Sequence, residues 1–233
     1  MFLGHFGVAL AAKKAAPKTS LAVLVAAGEC LDLIWPVLLI AGVEHVRVVK
    51  GITAVTPFDF YDYPISHSLL TALIWGGLAA ALYFAFTPYA RGAWLIAALV
   101  PSHWVLDWLV HRPDMPLWPA HSPKFGLGIW NSWPLTLAAE FAIFGVGLFL
   151  YLSSTRSKNR LGRYLIWLWA AVLIGSWLST ITSEPPSASA IAWLTLSVWL
   201  LVAWAGWADS NRTSSGNNLG DHFSPPPNPS HKY

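Results

Sequence analysis

Two groups of ionisable residues recur at helical spacing within otherwise apolar stretches. Glu29 and Asp32 are three residues apart, and His103, Asp107 and His111 follow one another at intervals of four. Side chains three or four residues apart lie on the same face of an α-helix, so each group presents its members together. Because ionisable side chains in apolar spans normally face the bundle interior and mark a site, both groups are candidate functional residues.

Two further histidines extend these groups: His5 lies near the first residue, and His67 opens a later apolar stretch. Imidazoles and carboxylates without a thiolate suit zinc, manganese or iron better than magnesium. Such a metal lowers the pKa of a bound water towards about 7 and polarises an ester or phosphoryl oxygen. A nearby carboxylate then takes the proton. The residue types therefore predict a metal-dependent hydrolase, with Glu29 and His111 as the candidate catalytic residues.

Simpler interpretations exist for each of these residues. A single histidine such as His5 is more often interfacial than a ligand, and His111 begins a loop where it can be solvated. Glu29 and Asp32 can pair with a buried base inside the bundle. His103 and Asp107 have the strongest spacing, but a plain histidine–carboxylate hydrogen bond uses the same interval.

The composition places all these residues in a membrane protein. Of 233 residues, 55% are hydrophobic and only 11% are charged, which is outside the usual mixture for a soluble domain. A span of roughly twenty apolar residues crosses the ~30 Å hydrocarbon layer as a helix. We therefore predict an all-α polytopic membrane bundle of about six transmembrane helices. The spans begin near Leu21, His67, Arg91, Leu135, Leu161 and Ala190.

The segment around His5 is apolar for only about a dozen residues, so it fits a half-span or interfacial helix. Ser66 is the expected cap of the second span. Pro36 is expected to kink the first span, predicted from Leu21 to Gly42, beside Asp32. Residues 1–208 form a single transmembrane domain with the site in 1–115, and residues 209–233 have the composition of a disordered cytoplasmic tail.

Basic residues set the predicted orientation. The loops before the first span, between the second and third spans, and between the fourth and fifth spans carry most of the lysines and arginines. The positive-inside rule then places both termini in the cytoplasm of a multi-pass inner-membrane protein. The net charge of +3 comes from these short loops and forms no basic stripe, so nucleic acid is not an expected partner. The expected partners are the lipid bilayer and a lipid-like substrate.

Several short motifs together resemble a family of bacterial inner-membrane metal-dependent hydrolases, described also as LexA-binding and inner-membrane-associated. That family shows an N-terminal GH, a PDxDH at the first long span, a THS opening the next and an H-x3-D further on. The resemblance covers roughly residues 1–115. The matching pieces are Gly4-His5, Leu31-Asp32 with Pro36, Ser66-His67-Ser68, and Ser102-His103 with Asp107.

The resemblance implies a set of metal ligands: His5, Asp32, His67, His103 and Asp107. The sequence also departs from the family pattern, since Ile34 and Trp35 stand where the family has its second aspartate and a histidine. Glu29, one turn before Asp32, is a candidate substitute for the missing carboxylate.

Two other functions use the same residues. A transporter would relay protons or carry a metal ion through the cluster. Against it, the ionisable residues lie in one half of the chain, and no inverted repeat is visible. A membrane scaffold would use the polar pairs only to fix the helix register.

Overall fold

The structure is a computed structural model, and it describes residues 1–182 and 187–214. Helices dominate these residues and form the predicted all-α bundle. A short 3-10 helix, Ile129–Asn131, precedes the seventh α-helix. The α-helices are α1 (Leu3–Ala15), α2 (Leu21–Gly28), α3 (Cys30–Ile40), α4 (Pro64–His67), α5 (Leu69–Phe86), α6 (Ala90–Val110), α7 (Trp133–Ser154), α8 (Arg160–Thr182), α9 (Ala188–Thr195) and α10 (Val198–Ser210).

Five segments of the described chain are long and apolar enough to cross a membrane. They are α5, α6, α7, the Arg160–Thr180 part of α8, and Ala188–Ser210, which combines α9 and α10. The pair α2 and α3 passes the same test together, although its two helices are bent by 59°. Counting that pair as one broken span gives six, which agrees with the predicted number.

The break in the first predicted span occurs at Glu29, which ends α2 and begins α3. The prediction placed a kink beside Asp32, but Pro36 lies inside α3 without ending it. Helix α1 packs tightly at the break, since a Cβ added to Gly28 would lie 3.3 Å from the carbonyl oxygen of His5. The bend therefore lies one turn before Asp32. Asp32 belongs to α3, whereas Glu29 lies at the junction of α2 and α3.

Helix α1 lies inside the bundle. Its 13 residues suit the predicted half-span, but the predicted interfacial alternative does not fit, because most of them are buried. Two glycines permit this packing: a Cβ on Gly7 would lie 2.7 Å from the carbonyl oxygen of Ile143, and one on Gly147 would lie 2.0 Å from that of Gly7. The contact between α1 and α7 brings His5 into the bundle interior.

Three short antiparallel strand pairs accompany the helices in the described part of the chain. Ser68 caps α5 by accepting a hydrogen bond from the Thr71 amide, so the cap predicted at Ser66 lies two residues later. Ser66 instead lies in α4, and its hydroxyl donates a hydrogen bond to Glu44. The strands pair as β1 (His45–Val48) with β2 (Phe58–Asp62), β3 (Met115–Pro116) with β4 (Lys124–Phe125), and β5 (Thr155–Ser157) with β6 (Arg212–Ser214).

The predicted tail starts later than residue 209. Asp209 and Ser210 belong to α10, and β6 then pairs with β5. Arg212 fixes this strand pair, because its guanidinium donates to the Ser157 hydroxyl at 2.7 Å and to the Gly162 carbonyl oxygen at 3.0 Å. The rest of the predicted tail, residues 215–233, lies outside the described residues.

Candidate metal centre

The structure brings together the five residues predicted to be metal ligands. Their ligand atoms form two overlapping groups, each with all atoms within 4.8 Å of one another. One group holds His5, His103 and Asp107, and the other holds Asp32, His67 and His103. His103 belongs to both groups, so one compact centre contains all five side chains.

The two aspartates lie at the middle of this centre. The Nε2 atom of His103 is 3.2 Å from Asp107 Oδ2 and 3.8 Å from Asp32 Oδ2. The Nε2 atom of His67 is 3.4 Å from Asp32 Oδ1 and 3.8 Å from Asp107 Oδ2. His5 Nε2 lies 3.1 Å from the other oxygen of Asp107. Three imidazoles therefore point a ring nitrogen at two carboxylates.

The opposite ring nitrogen of His103 is held by backbone. His103 Nδ1 lies 2.8 Å from the carbonyl oxygen of Gly28. A carbonyl oxygen only accepts hydrogen bonds, so we assign the proton of the neutral ring to Nδ1. The lone pair is then on Nε2, which is buried and has no hydrogen-bond partner among the residues that the structure describes. This arrangement, in which an oxygen holds one nitrogen and frees the other, is the usual one for metal-binding histidines.

His67 has the same arrangement through a side-chain relay. Its Nδ1 atom lies 2.7 Å from the Ser66 hydroxyl. That hydroxyl donates its own proton to Glu44 Oε2 at 2.6 Å, so its oxygen accepts from His67 Nδ1. Glu44 is fixed in turn, because the amides of Ile65 and Ser66 donate to its other oxygen. The relay again leaves the Nε2 lone pair of His67 facing Asp32.

The five candidate ligands come from four segments of the chain. Helix α6 carries His103 and Asp107 one turn apart, and the break at Glu29 allows α3 to present Asp32. The short helix α4 ends at His67. The ring of His5 on α1 stacks on that of His103, with centroids 3.6 Å apart and planes 5° from parallel. Four separate segments therefore meet at one point.

The two predicted catalytic residues differ in position. His111 is only 4% exposed, and its Nε2 atom lies 3.9 Å from Asp107 Oδ1. Its Nδ1 atom is 2.9 Å from Asp114 Oδ1, so the solvated alternative does not fit. Glu29 is buried and its Oε1 atom has no hydrogen-bond partner within residues 1–182 and 187–214, but it belongs to neither group of ligand atoms.

Neighbouring groups complete the surroundings of the centre. Tyr63 donates a hydrogen bond from its hydroxyl to Asp114 Oδ1 at 3.2 Å, and burial raises the pKa of that hydroxyl well above its usual range. The Met1 amino group contacts Asp107. Glu140 accepts hydrogen bonds from the amides of Phe2 and Gly4, both at 2.9 Å. Both carboxylate oxygens of Glu140 are therefore used to cap α1.

A cavity of about 370 Å³ opens beside the centre. Asp32, His67, Asp107 and His111 all line it, whereas His5, Glu29 and His103 do not. Its volume lies within the range of small-molecule sites, and such sites combine an apolar wall with a few polar groups. The site therefore has a ligand-sized space at one edge of the aspartate pair.

Several supporting residues escaped prediction from the sequence. Glu44 and Asp114 lie in the segments between the predicted spans and were not singled out, and Gly28 carried no signal because its role is played by a carbonyl oxygen. Ser66 was predicted as a helix cap and belonged to the Ser66-His67-Ser68 motif, but neither observation gave its hydroxyl a role. Its position directly before His67 is the one available signal, although the spacing gives no indication that the hydroxyl reaches the imidazole.

Comparison with known proteins adds nothing to this description. No protein-family model, curated protein or solved structure matches the chain. The resemblance to the inner-membrane hydrolases stays a prediction, and the function is argued from the geometry of the site.

Proposed function

We propose that the protein is a metal-dependent hydrolase embedded in a membrane and that it acts on an ester or phosphoester of a lipid-like substrate. Asp32, His67, His103 and Asp107 would hold a zinc, manganese or iron ion, and His5 would complete the set. When bound, such an ion lowers the pKa of water and polarises an ester or phosphoryl oxygen.

The observation that carries this proposal is the approach of lone pairs to carboxylates. In their neutral forms His67 and His103 carry the proton on Nδ1, because of their outer hydrogen bonds, and the unprotonated Nε2 atoms then lie 3.2–3.8 Å from carboxylate oxygens. An unprotonated nitrogen and a carboxylate oxygen are both acceptors, so the contact is unfavourable by itself. A cation between them satisfies all of these atoms at once.

The residues that line the cavity have the reacting roles in this proposal. Asp32 is the more exposed carboxylate, with 25% of its side chain accessible, and it can accept a proton from water at the cavity edge. His111 faces the cavity while Asp114 holds its Nδ1 atom, so it can donate a proton to a leaving group. Glu29 does not line the cavity, and we therefore prefer Asp32 to it as the base.

The location forms part of the same proposal. The apolar segments support a multi-pass membrane protein, and the basic loops favour an orientation with both termini in the cytoplasm. Together with the motif resemblance, these features lead us to propose the bacterial inner membrane. A catalytic cavity bordered by apolar spans suits a substrate that is itself a membrane component.

Elemental analysis of the detergent-purified protein tests the proposal. We expect near-stoichiometric zinc, manganese or iron in the wild type and its loss in a His103→Ala, Asp107→Ala double variant. The matched control is His45→Ala, Asp62→Ala, which removes another histidine–aspartate pair whose side chains are 47% and 44% exposed. The control should retain the metal.

Three outcomes of the elemental analysis support or contradict the proposal. Metal in the wild type and control but not in the site variant supports the centre and leads to assays on esters and phosphoesters. No metal in the wild type after incubation with these ions contradicts the proposal. Equal metal in the site variant also contradicts it, because the ion would then lie elsewhere.

A further inference from the structure

The cavity beside the metal centre has an extended apolar wall. Residues of α8, α9 and α10 form it, among them Trp177, Ile191, Val198 and Leu201. Leu194 lines the same cavity and is also 65% exposed, on the apolar segment Ala188–Ser210. The cavity therefore reaches the outer face of a candidate membrane span, where a hydrocarbon chain can enter from the bilayer.

A second wall consists of aromatic rings. The ring centroid of Phe60 lies 4.9 Å from that of His111, 5.4 Å from Tyr63, 5.5 Å from Trp35 and 6.2 Å from Trp130. All five residues line the cavity. The electron-rich faces of the phenylalanine, tyrosine and tryptophan rings attract ammonium groups, and clusters of such rings recognise quaternary ammonium ligands.

The charges around the cavity point to the same kind of ligand. Asp32, Asp107 and Glu140 line it, whereas no lysine or arginine does so among the described residues. The Met1 amino group is already paired with Asp107. Asp32 and Asp107 would together neutralise the divalent ion of the proposed function, so a phosphomonoester or a diphosphate would bring two or more negative charges without a side-chain cation to balance them. A single phosphate charge balanced by an ammonium group meets no such difficulty.

We propose that this cavity binds a zwitterionic phospholipid, with its ammonium group against the aromatic wall and a hydrocarbon chain along α8, α9 and α10. The inference rests on the proposed function, because the scissile ester would lie at the aspartate pair. It goes further by selecting a substrate class, namely phosphodiesters with a cationic head group over phosphomonoesters.

Photoaffinity labelling tests the binding mode without requiring turnover. The full chain in detergent, both metal-free and metal-loaded, is labelled with phosphatidylcholine that carries a diazirine in one acyl chain. Dioctanoyl phosphatidylcholine and dioctanoyl phosphatidic acid then compete with it. We expect labelled peptides from α8, α9 and α10, and about a tenfold stronger competition by phosphatidylcholine, which is the effect of one desolvated ammonium on aromatic rings.

Two pairs of variants locate the effect. Trp130→Leu should remove the preference for phosphatidylcholine, whereas Trp94→Leu, which changes a tryptophan of α6 that is 77% exposed and outside the cavity, should keep it. Leu194→Trp should reduce labelling by narrowing the lateral opening. Its control is Leu200→Trp, at a position 73% exposed that does not line the cavity. Because Leu194 lies at the surface, its variant remains informative if Trp130→Leu fails to fold.

Equal competition by phosphatidic acid would overturn the inference, as would labelling that Leu194→Trp leaves unchanged. These failures are distinct from failure of the proposed function. A protein without a metal site would still show the preference in its metal-free form, whereas a metal-binding protein without the preference would retain only the proposed function.

Discussion

The candidate metal centre and a second buried group of charged residues in the described part of the bundle differ in how their polar atoms are paired. In the second cluster, which we call the Lys13–Asp209 cluster, the ammonium of Lys13 lies 2.7 Å from Asp209 Oδ2. The Leu21 amide donates to the same oxygen at 3.0 Å, and the Tyr151 hydroxyl donates to Oδ1 at 3.0 Å. Every one of these contacts joins a donor to an acceptor.

The candidate metal centre differs in part of its pairing. The Met1 amino group donates to Asp107, but in the neutral rings the Nε2 lone pairs of His67 and His103 face the oxygens of Asp32 and Asp107, so acceptors meet acceptors. Among the described residues, His103 Nε2 has no hydrogen-bond partner. Burial of ionisable residues is common to both clusters and does not distinguish them. What distinguishes them is whether the polar atoms satisfy one another, because an unsatisfied set requires a ligand that the described residues do not supply.

The largest expected effect separates the two clusters by metal content. Asp107→Ala should weaken metal binding by more than about 100-fold, since loss of even an outer partner costs about 10–100-fold. Asp209→Ala should leave metal binding unchanged. Titration of the purified variants with zinc, followed by elemental analysis, measures both. Metal loss in Asp209→Ala would show that the clusters are not independent.

The second prediction concerns stability, and here the large effect is expected in the Lys13–Asp209 cluster. Asp209→Ala leaves the ammonium of Lys13 buried without its carboxylate, and breaking a buried ion pair in this way costs about 3–5 kcal/mol. We expect a clearly lower thermal midpoint in detergent. Asp62→Ala is the control, since the exposed pair of His45 and Asp62 should contribute under about 1 kcal/mol. Equal midpoints for the two variants would contradict a structural role for the Lys13–Asp209 cluster.

A third prediction concerns the relay behind His67. Ser66→Ala removes the hydroxyl that holds Nδ1, so metal affinity should fall about 10–100-fold while the fold is retained. Ser68→Ala changes a neighbouring serine that only caps α5, and it should cost about 1 kcal/mol of stability without a change in metal affinity. A metal titration and a thermal melt together distinguish the two variants. Unchanged metal affinity in Ser66→Ala would show that the relay does not contribute to metal binding.

The smallest effect is expected at Glu140, which lies beside the metal centre but is paired like the Lys13–Asp209 cluster. Both of its oxygens accept backbone amides of α1. Glu140→Gln replaces one acceptor oxygen with a donor, so stability should fall by about 1–3 kcal/mol with little change in metal binding. A large loss of metal in this variant, measured at equal folded fraction, would make Glu140 a ligand.

Helical spacing accounts for what could be predicted about the site. The interval of four between His103 and Asp107 holds within a single helix, so their shared face followed from the sequence alone. Glu29 and Asp32 follow the same rule only if the helix continues, and it breaks at Glu29. The spacing therefore predicted that both carboxylates lie together at the site. In the structure only Asp32 belongs to a group of candidate ligand atoms.

Lys13 and Asp209 show the limit of local reasoning. Lys13 was interpreted as a positive charge in a cytoplasmic loop, and Asp209 as the first residue of a disordered tail. They lie 196 residues apart and form a buried ion pair. Loop composition indicates where charges are usually solvated, and it contains no information about which distant residue supplies a partner.

The sequence by itself determined the helical class and the number of apolar segments, which follow from hydropathy acting locally along the chain. The five side chains that meet at the candidate metal centre were the set implied by the short motifs that resemble the inner-membrane hydrolases. Only the tertiary structure decided that α1 lies inside the bundle, that Gly28, Ser66 and Asp114 hold the imidazoles, and that a cavity opens beside Asp32. Those features depend on close approach between segments far apart in the chain, and no local pattern specifies it.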